Sequence, residues 1–274
     1  MHGSHFGQRD GTIMPFPSVA MPRVRSDRTR DIRVVAEECP VALIYDGTST
    51  AVLMATPAEL ADLALGFSLT EGIIREAAEI QDIEVVPGFE GVELRIWLRP
   101  ESGRAWKERR RRLVGPTGCG LCGIESLQEA NRTCLPVERA IRLLPEQIGL
   151  AVDTLAASQL LNHETRATHA AGFFVPGSEA MVMREDVGRH NALDKLAGAL
   201  ASLSIAGGAG AVVLTSRVSV EMVQKTAAIG AGILVAVSAP TALAIRTAQA
   251  SGITLVGIAR GRDFEVFSHP AGIA

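Results

Sequence analysis

Ala211-Val212-Val213-Leu214-Thr215, Ile233-Leu234-Val235-Ala236-Val237 and Ile253-Thr254-Leu255-Val256-Gly257-Ile258 are short apolar runs separated by stretches of helical character. Runs this short and this apolar belong to strands buried on both faces. Their alternation with helices predicts βαβ units in a largely parallel sheet. Before them, 171–175 and 180–183 read as strands joined by Pro176-Gly177, and a helix is predicted from about Asp186 to Leu200. A helix should also run from Pro145 to about Leu161, and 264–267 reads as a last short strand.

Residues 40–45 and 50–54 are apolar runs around Asp46-Gly47, a β-hairpin pattern. Thr56-Pro57-Ala58-Glu59 has the form of a capping box with Pro at the first helical position, so a helix should start there and end near Glu71-Gly72. Another strand pair, 83–86 and 92–98, turns around Pro87-Gly88. Residues 1–30, rich in Gly, Pro, His and Arg, carry no apolar period and read as a disordered arm. The predicted class is therefore α/β, a mostly parallel mixed sheet layered with helices, beside a smaller β-rich N-terminal part. The expected division is 1–30 for the arm, 31–140 for the β-rich part and 141–274 for an α/β cofactor-binding domain.

The 274 residues carry a net charge of −3 and only 4% aromatic side chains, which argues against a nucleic-acid binder. Four cysteines are too few for a disulfide scaffold, and Cys39 and Cys134 read as buried or idle thiols. No secretory leader pattern is evident. The most apolar stretch, 229–245, is broken by Ser238, Pro240 and Thr241 and falls short of a membrane span. A cytoplasmic protein with reduced thiols and no membrane partner is expected.

In an open α/β sheet, ligands bind beyond the carboxyl ends of the strands. Here those ends run into Ser216-Arg217, Ser238-Ala239-Pro240-Thr241 and Ala259-Arg260-Gly261-Arg262. Small hydroxyl residues at helix N-termini, with arginines, suit phosphate oxygens, although Ser216, Ser238 and Thr241 also read simply as helix caps. On the helix that follows Arg184-Glu185-Asp186, His190 and Asp194 share a face, as do Asn191 and Lys195. Asp194 is thus placed to orient His190 as a base or donor, and a surface salt-bridge pattern reads equally well. His169, before a buried strand, reads as a structural histidine.

The chemistry-bearing motif is Gly118-Cys119-Gly120-Leu121-Cys122-Gly123, preceded by Lys107-Glu108-Arg109-Arg110-Arg111-Arg112. Nearby positive charge raises the thiolate fraction, and thiolate is the reactive form. Such a pair serves in zinc binding, in thiol–disulfide exchange or in sulfur transfer. Zinc normally needs a second pair or two histidines, and no second pair is present. A zinc deaminase would need an HxE motif, but Ala171 follows His169-Ala170. All three uses stay open on residue chemistry alone.

The thiol motif, with Arg111-Arg112-Leu113 before it, resembles the signature of the formate dehydrogenase accessory sulfurtransferases, the FdhD family. So do 184–195, Thr215-Ser216-Arg217-Val218-Ser219-Val220-Glu221-Met222, Ser238-Ala239-Pro240-Thr241-Ala242-Leu243-Ala244, Met54-Ala55-Thr56-Pro57 and Gly66-Phe67 with Glu71-Gly72. The likeness spans about residues 34–270. Pro116 stands where an Arg is common, and Arg166 replaces a Gly before His169. The resemblance implies a sulfur carrier that takes persulfide sulfur from a cysteine desulfurase. It would deliver that sulfur to the molybdenum bis-pterin guanine dinucleotide cofactor, as formate dehydrogenase activity requires. It implies a cytidine-deaminase-like second half without a resident metal, and a homodimer. Cys119 would carry the persulfide and Cys122 would assist. The cofactor would contact Ile258, Ala259, Arg260, Gly261, Arg262 and Asp263, on the edge already marked by Ser216, Arg217, Ser238 and His190. A cofactor chaperone without sulfur chemistry and a zinc-binding CxxC protein are the alternatives.

Overall fold

A computed structural model of the chain describes residues 13–113, 134, 136–178 and 180–274, with only the backbone path given for 108–113. Strands β1 (Ser18–Val24) and β2 (Arg30–Ala36) form an antiparallel ribbon. Strands β3 (Cys39–Tyr45) and β4 (Thr48–Ala55) follow as the predicted hairpin. Asp46 and Gly47 at its turn both take positive φ, 47° and 77°, the conformation a two-residue hairpin turn needs. With β5 (Ile80–Gly88) and β6 (Gly91–Leu98) they complete a four-stranded sheet ordered β4-β3-β6-β5. Helix α1 (Leu60–Thr70) covers its inner face, where Leu60, Leu63 and Ala64 pack with Val41, Leu43, Leu94 and Ile96. Helix α2 (Pro100–Leu113) follows β6 and takes the basic run into its last turns.

The second half holds β7 (His169–Phe174), β8 (Val182–Asp186), β9 (Ala211–Leu214), β10 (Ile233–Ala236), β11 (Thr254–Arg260) and β12 (Asp263–Ser268). They form one sheet in the order β12-β11-β10-β9-β7-β8. Helix α3 (Pro145–Ser158) covers one face of it, while the short helix α4 (Leu160–Thr165) lies beside β2. Helices α5 (Arg189–Ser202), α6 (Val220–Ile229) and α7 (Ala242–Ala250) cover the other face. The mixed α/β class thus stands. Within the sheet, however, only the pairings β9–β10 and β10–β11 are parallel, and the other three are antiparallel. The connections explain this, because β7–β8 and β11–β12 are joined by links too short for a helical crossover.

The two halves are locked together along α1 and α5. The helices approach so closely that a Cβ on Gly66 would strike the Asp194 backbone, and one on Gly198 the Asp62 backbone. Fully buried Lys195 and Asp186 lie 2.6 Å apart. Lys195 donates to the Thr56 carbonyl at 2.9 Å, and Asp186 accepts from the Thr56 backbone N–H at 3.0 Å. A second buried pair, Asp194 and Lys225 at 2.8 Å, draws in the Thr70 hydroxyl and Glu71. Burial alone would lower the Lys225 pKa, but the charges of Asp194 and Glu71 outweigh it and raise it above the ordinary 10.5.

These contacts correct two expectations. Thr56 does not cap α1: its hydroxyl accepts from Val187 N–H at 3.1 Å, and the helix starts only at Leu60, behind Glu59 at φ 46°. Residues 18–30 belong to the ribbon rather than to a disordered arm. Asp31 there accepts from both Arg23 and Arg25, and Asp27 closes the turn by accepting from Thr29. Arg23 and Arg25 are thus partners of Asp31 across the ribbon.

Arg166 ends α4 at φ 62°, a left-handed conformation that favours glycine. Arg166→Gly should therefore raise stability by about 0.5–1 kcal/mol in urea unfolding. Lys225→Met leaves Asp194 and Glu71 without their buried counter-charge, and the same measurement should show a loss of roughly 3–5 kcal/mol.

Candidate functional site

Because β8 is antiparallel to β7 and β7 to β9, the carboxyl ends of β8, β9, β10 and β11 all reach one edge of the sheet. Four strand spacings separate β8 from β11, about 19 Å in all. Helices α5, α6 and α7 begin at this edge, so their positive ends converge there. The predicted residues of the second half lie along it.

At the β8 end, α5 starts at Arg189 after Gly188, and Asp186 fixes the turn by accepting from Gly188 N–H at 2.8 Å and from the Asn191 amide at 3.0 Å. His190 does not meet Asp194, as the sequence suggested. Its Nε2 lies 2.8 Å from Glu221 Oε2 of α6, because Asp194 turns inward to Lys225. Ser219, at the N-cap of α6, donates to the same carboxylate at 3.1 Å. Burial raises the Glu221 pKa, but the hydrogen bond and charge of His190, the Ser219 hydroxyl and the Arg189 charge together hold it below the ordinary 4.5. His169 begins β7 opposite Asp186. Burial, then the Arg189 charge, lowers its pKa below the ordinary 6.5, with His190 adding to the effect and Asp186 opposing it. Arg189 Nε is buried and accepted by no described residue.

At the β9 end, Ser216 is buried and its hydroxyl donates to the Arg217 carbonyl at 3.0 Å, while Arg217 is exposed. Ser216 is therefore neither a helix cap nor turned to solvent. Helix α6 starts three residues after Arg217, which leaves the cap position to Ser219. Val218 stitches this end to the next, donating to the Ala239 carbonyl at 3.2 Å and accepting from Thr241 N–H at 2.9 Å. Thr241 does cap α7, accepting from Ala244 N–H at 3.2 Å, and Ser238 is half-buried without serving as a cap. Ile258 N–H donates to the Ser238 carbonyl at 3.2 Å, joining the third end to the fourth.

Ile258 takes φ 53°, a strained conformation for a β-branched residue, at the bulge between β11 and β12. Ala259 is buried in the core, so only its backbone is available to a ligand. Arg260, Gly261, Arg262 and Asp263 form the exposed turn of the β11–β12 hairpin, with Arg260 paired to Asp263. Its height is set from beneath by Gly149 of α3, where a Cβ would meet the Gly261 carbonyl at 2.5 Å. Cys119 and Cys122 lie outside the described residues. Among the described residues, no three His, Cys, Asp or Glu side chains are grouped to hold a metal ion.

Sequence reasoning missed Glu221, Ser219 and Arg189 as members of this edge. The available signal was the pair of helices itself. His190 and Asp194 are one turn apart on α5, Glu221 and Lys225 one turn apart on α6, and the two sets carry opposite charge order.

A model of the FdhD/NarQ family matches residues 36–274. A protein of Agrobacterium fabrum named sulfur carrier protein FdhD is 52% identical over 238 residues, covering 86% of this chain and 88% of that one. A Cupriavidus necator protein of the same name is 51% identical over 236 residues, covering 86% and 82%. Among solved structures, a formate dehydrogenase accessory protein from Desulfotalea psychrophila superposes with a TM-score of 0.74 at 26% identity. That superposition covers 95% of this chain and 100% of the other.

Glu221 adds stability above its ordinary value of 4.5, and that stability disappears as the pH falls through its lower folded value. Glu221→Gln should thus cost at most about 1 kcal/mol near neutral pH, since the pair is more than a third exposed, and nothing in strong acid. Urea unfolding at several pH values reads the difference.

Proposed function

Because the chain belongs to the FdhD/NarQ family, we propose that it is a sulfur carrier that takes persulfide sulfur from a cysteine desulfurase and passes it to the molybdenum bis-pterin guanine dinucleotide cofactor, enabling formate dehydrogenase. The observation that carries this reading is the 52% identity, over 86% of the chain, to a protein named a sulfur carrier. The Cys119–Cys122 motif gives that name a chemical means. The Cys119 thiolate, favoured by the basic run, attacks the outer sulfur of the donor's persulfide. A new S–S bond forms on Cys119, the donor's S–S bond breaks, and the donor leaves as a thiolate. No net oxidation occurs in this step.

The cofactor is the substrate, a polyanion with two pyrophosphate links, and an edge of about 19 Å rimmed by helix N-termini suits its charge. In this reading Arg260, Arg262 and Arg217 hold phosphate oxygens. The backbone from Ile258 through Ala259, Gly261 and Asp263 lies along the nucleotide. Ser216, Ser238 and His190 form the floor of the edge. The chain after the thiol motif rejoins the sheet at its opposite edge, where Val137 N–H donates to the Ser251 carbonyl at 2.9 Å. The fourteen residue steps from Cys122 to Pro136 can span at most about 46 Å, twice the ~23 Å of the longest strand in that sheet. Either edge is therefore within reach of the thiols. The protein would work as a cytoplasmic homodimer.

To test this, the protein is incubated with a cysteine desulfurase and cysteine, and its peptides are weighed. One added sulfur atom is expected on the peptide holding Cys119. Cys119→Ala should abolish both that gain and activation of formate dehydrogenase. A Cys119→Ala protein that still activates the enzyme contradicts the reading.

A further inference from the structure

Side chains of β1 and β2 alternate between the two faces of their ribbon, and residues paired across it share a face. One face carries the pairs Val19–Val35, Met21–Arg33 and Arg23–Asp31. Arg33 turns this face toward the body of the protein by donating to the Thr165 carbonyl of α4 at 3.3 Å. The other face carries Ala20–Val34, Pro22–Ile32 and Val24–Arg30. Exposure follows the same alternation along β2, and its apolar set is the outer one: Ile32 is 70% exposed and Val34 38%, with Val24 of β1 at 65%. This inverts the ordinary rule for a strand with one face covered, apolar inward and polar to water. A slip of one residue would turn Ile32 and Val34 inward, yet the ladder runs unbroken from Ser18–Ala36 to Val24–Arg30. A two-stranded ribbon is marginal by itself in water, and an exposed apolar face marks a surface that a partner covers.

We infer that the cover is the same face of a second copy of this chain, stacked about a two-fold axis through the Ala20–Val34 pair. The occupant is selected by the order of residues along the outer face of β2, which reads Arg30, Ile32, Val34, Ala36 and, two residues further on, Glu38. A two-fold interface uses one patch twice, so the patch must be its own complement. Turning this stripe end for end about Val34 lays Arg30 on Glu38 of the second copy, Ile32 on Ala36, and Val34 on its own counterpart. Large meets small on either side of the axis, and opposite charges close both ends. On β1 the same turn lays Pro22 on Ser18. Both charges are available, since Arg30 and Glu38 are exposed and neither side chain has a hydrogen-bond or ion-pair partner among the described residues. Asp31, by contrast, is taken up by Arg23 and Arg25 on the inner face. An acidic partner of another kind would meet Arg30 at one end but Glu38 at the other. Each ribbon face measures about 24 Å by 10 Å, well under the ~800 Å² per partner of a standard interface, so the pair forms and parts with concentration. The pairing supplies the homodimer of the sulfur-carrier reading with a contact surface.

Sedimentation velocity of the full chain reads the pairing, and the wild type should pass from monomer to dimer between about 1 and 100 μM. Val34→Asp sets two carboxylates against each other at the axis and should weaken the pair at least about 100-fold. Arg30→Glu and Glu38→Arg each place like charges at both ends, and each should weaken it about 10-fold. The double variant Arg30→Glu/Glu38→Arg restores both attractions and should return to within about threefold of the wild type. Only two copies facing each other in this register exchange the charges in that way. Thermal unfolding of every variant should match the wild type, because the altered side chains are exposed. If Val34→Asp does not fold, the charge exchange decides alone. A wild type that stays monomeric throughout the range overturns the inference and leaves the face to another occupant. A dimer that none of the substitutions weakens also overturns it, as does a double variant no better paired than either single one. Sulfur uptake from a cysteine desulfurase, measured on the same samples, keeps the two readings apart: a wild type that pairs as described but takes up no sulfur removes the carrier reading alone.

Discussion

The burial of two lysines, each facing an aspartate, is the constraint on which the remaining architecture depends. Lys195 and Asp186 are fully buried, and Lys225 and Asp194 nearly so. An ion pair removed from water is tolerated only if the remaining donors and acceptors are satisfied. The first half supplies what the second lacks: the Thr56 backbone completes one pair, and Thr70 with Glu71 completes the other. The closeness this demands explains the small residues at the α1–α5 crossing, since any side chain at Gly66 or Gly198 would meet backbone rather than a movable tip.

This lock also positions the functional edge. Asp186 is at once the partner of Lys195 and the anchor of the first turn of α5, so the buried charge aims Arg189 and His190. Asp194 and Lys225 set the spacing of α5 and α6 and thereby bring His190 to Glu221. The edge is continued sideways by backbone bonds alone, from Val218 to Ala239 and from Ile258 to Ser238. A row of strand ends tied in this way gives little under a ligand.

Much of this was legible in the residues. The apolar runs at 211–215, 233–237 and 253–258 located three strands within one or two positions, because burial on both faces leaves no polar alternation to confuse the reading. Asp46-Gly47 identified its hairpin, because only left-handed-tolerant residues make that turn. The misreadings share one cause. Thr56, Asp194 and Lys195 each carry a pattern with a sound local meaning (a cap, a histidine partner, a surface ion pair), and each is claimed by a partner far away in the chain. Local periodicity carries no information about a partner 130 residues on. The ribbon of β1 and β2 escaped notice because its alternation is weak and Arg23 and Arg25 find Asp31 only across the turn. At the site, the row of strand ends was foreseen and the His190–Glu221 pair was not, since the distance between two helices is set by packing rather than by sequence spacing.

The lock also has a consequence for the nascent chain. Thr56 and Glu71 precede their partners Asp186 and Lys225 by 130 and 154 residues. At a synthesis rate of about 5–20 residues per second, that amounts to roughly 6–30 s on the ribosome with the far side of α1 bare. The amino-terminal sheet and α1 share a core of their own, but the face of α1 that meets α5 stays uncovered until α5 emerges, and a chain released before then would expose it.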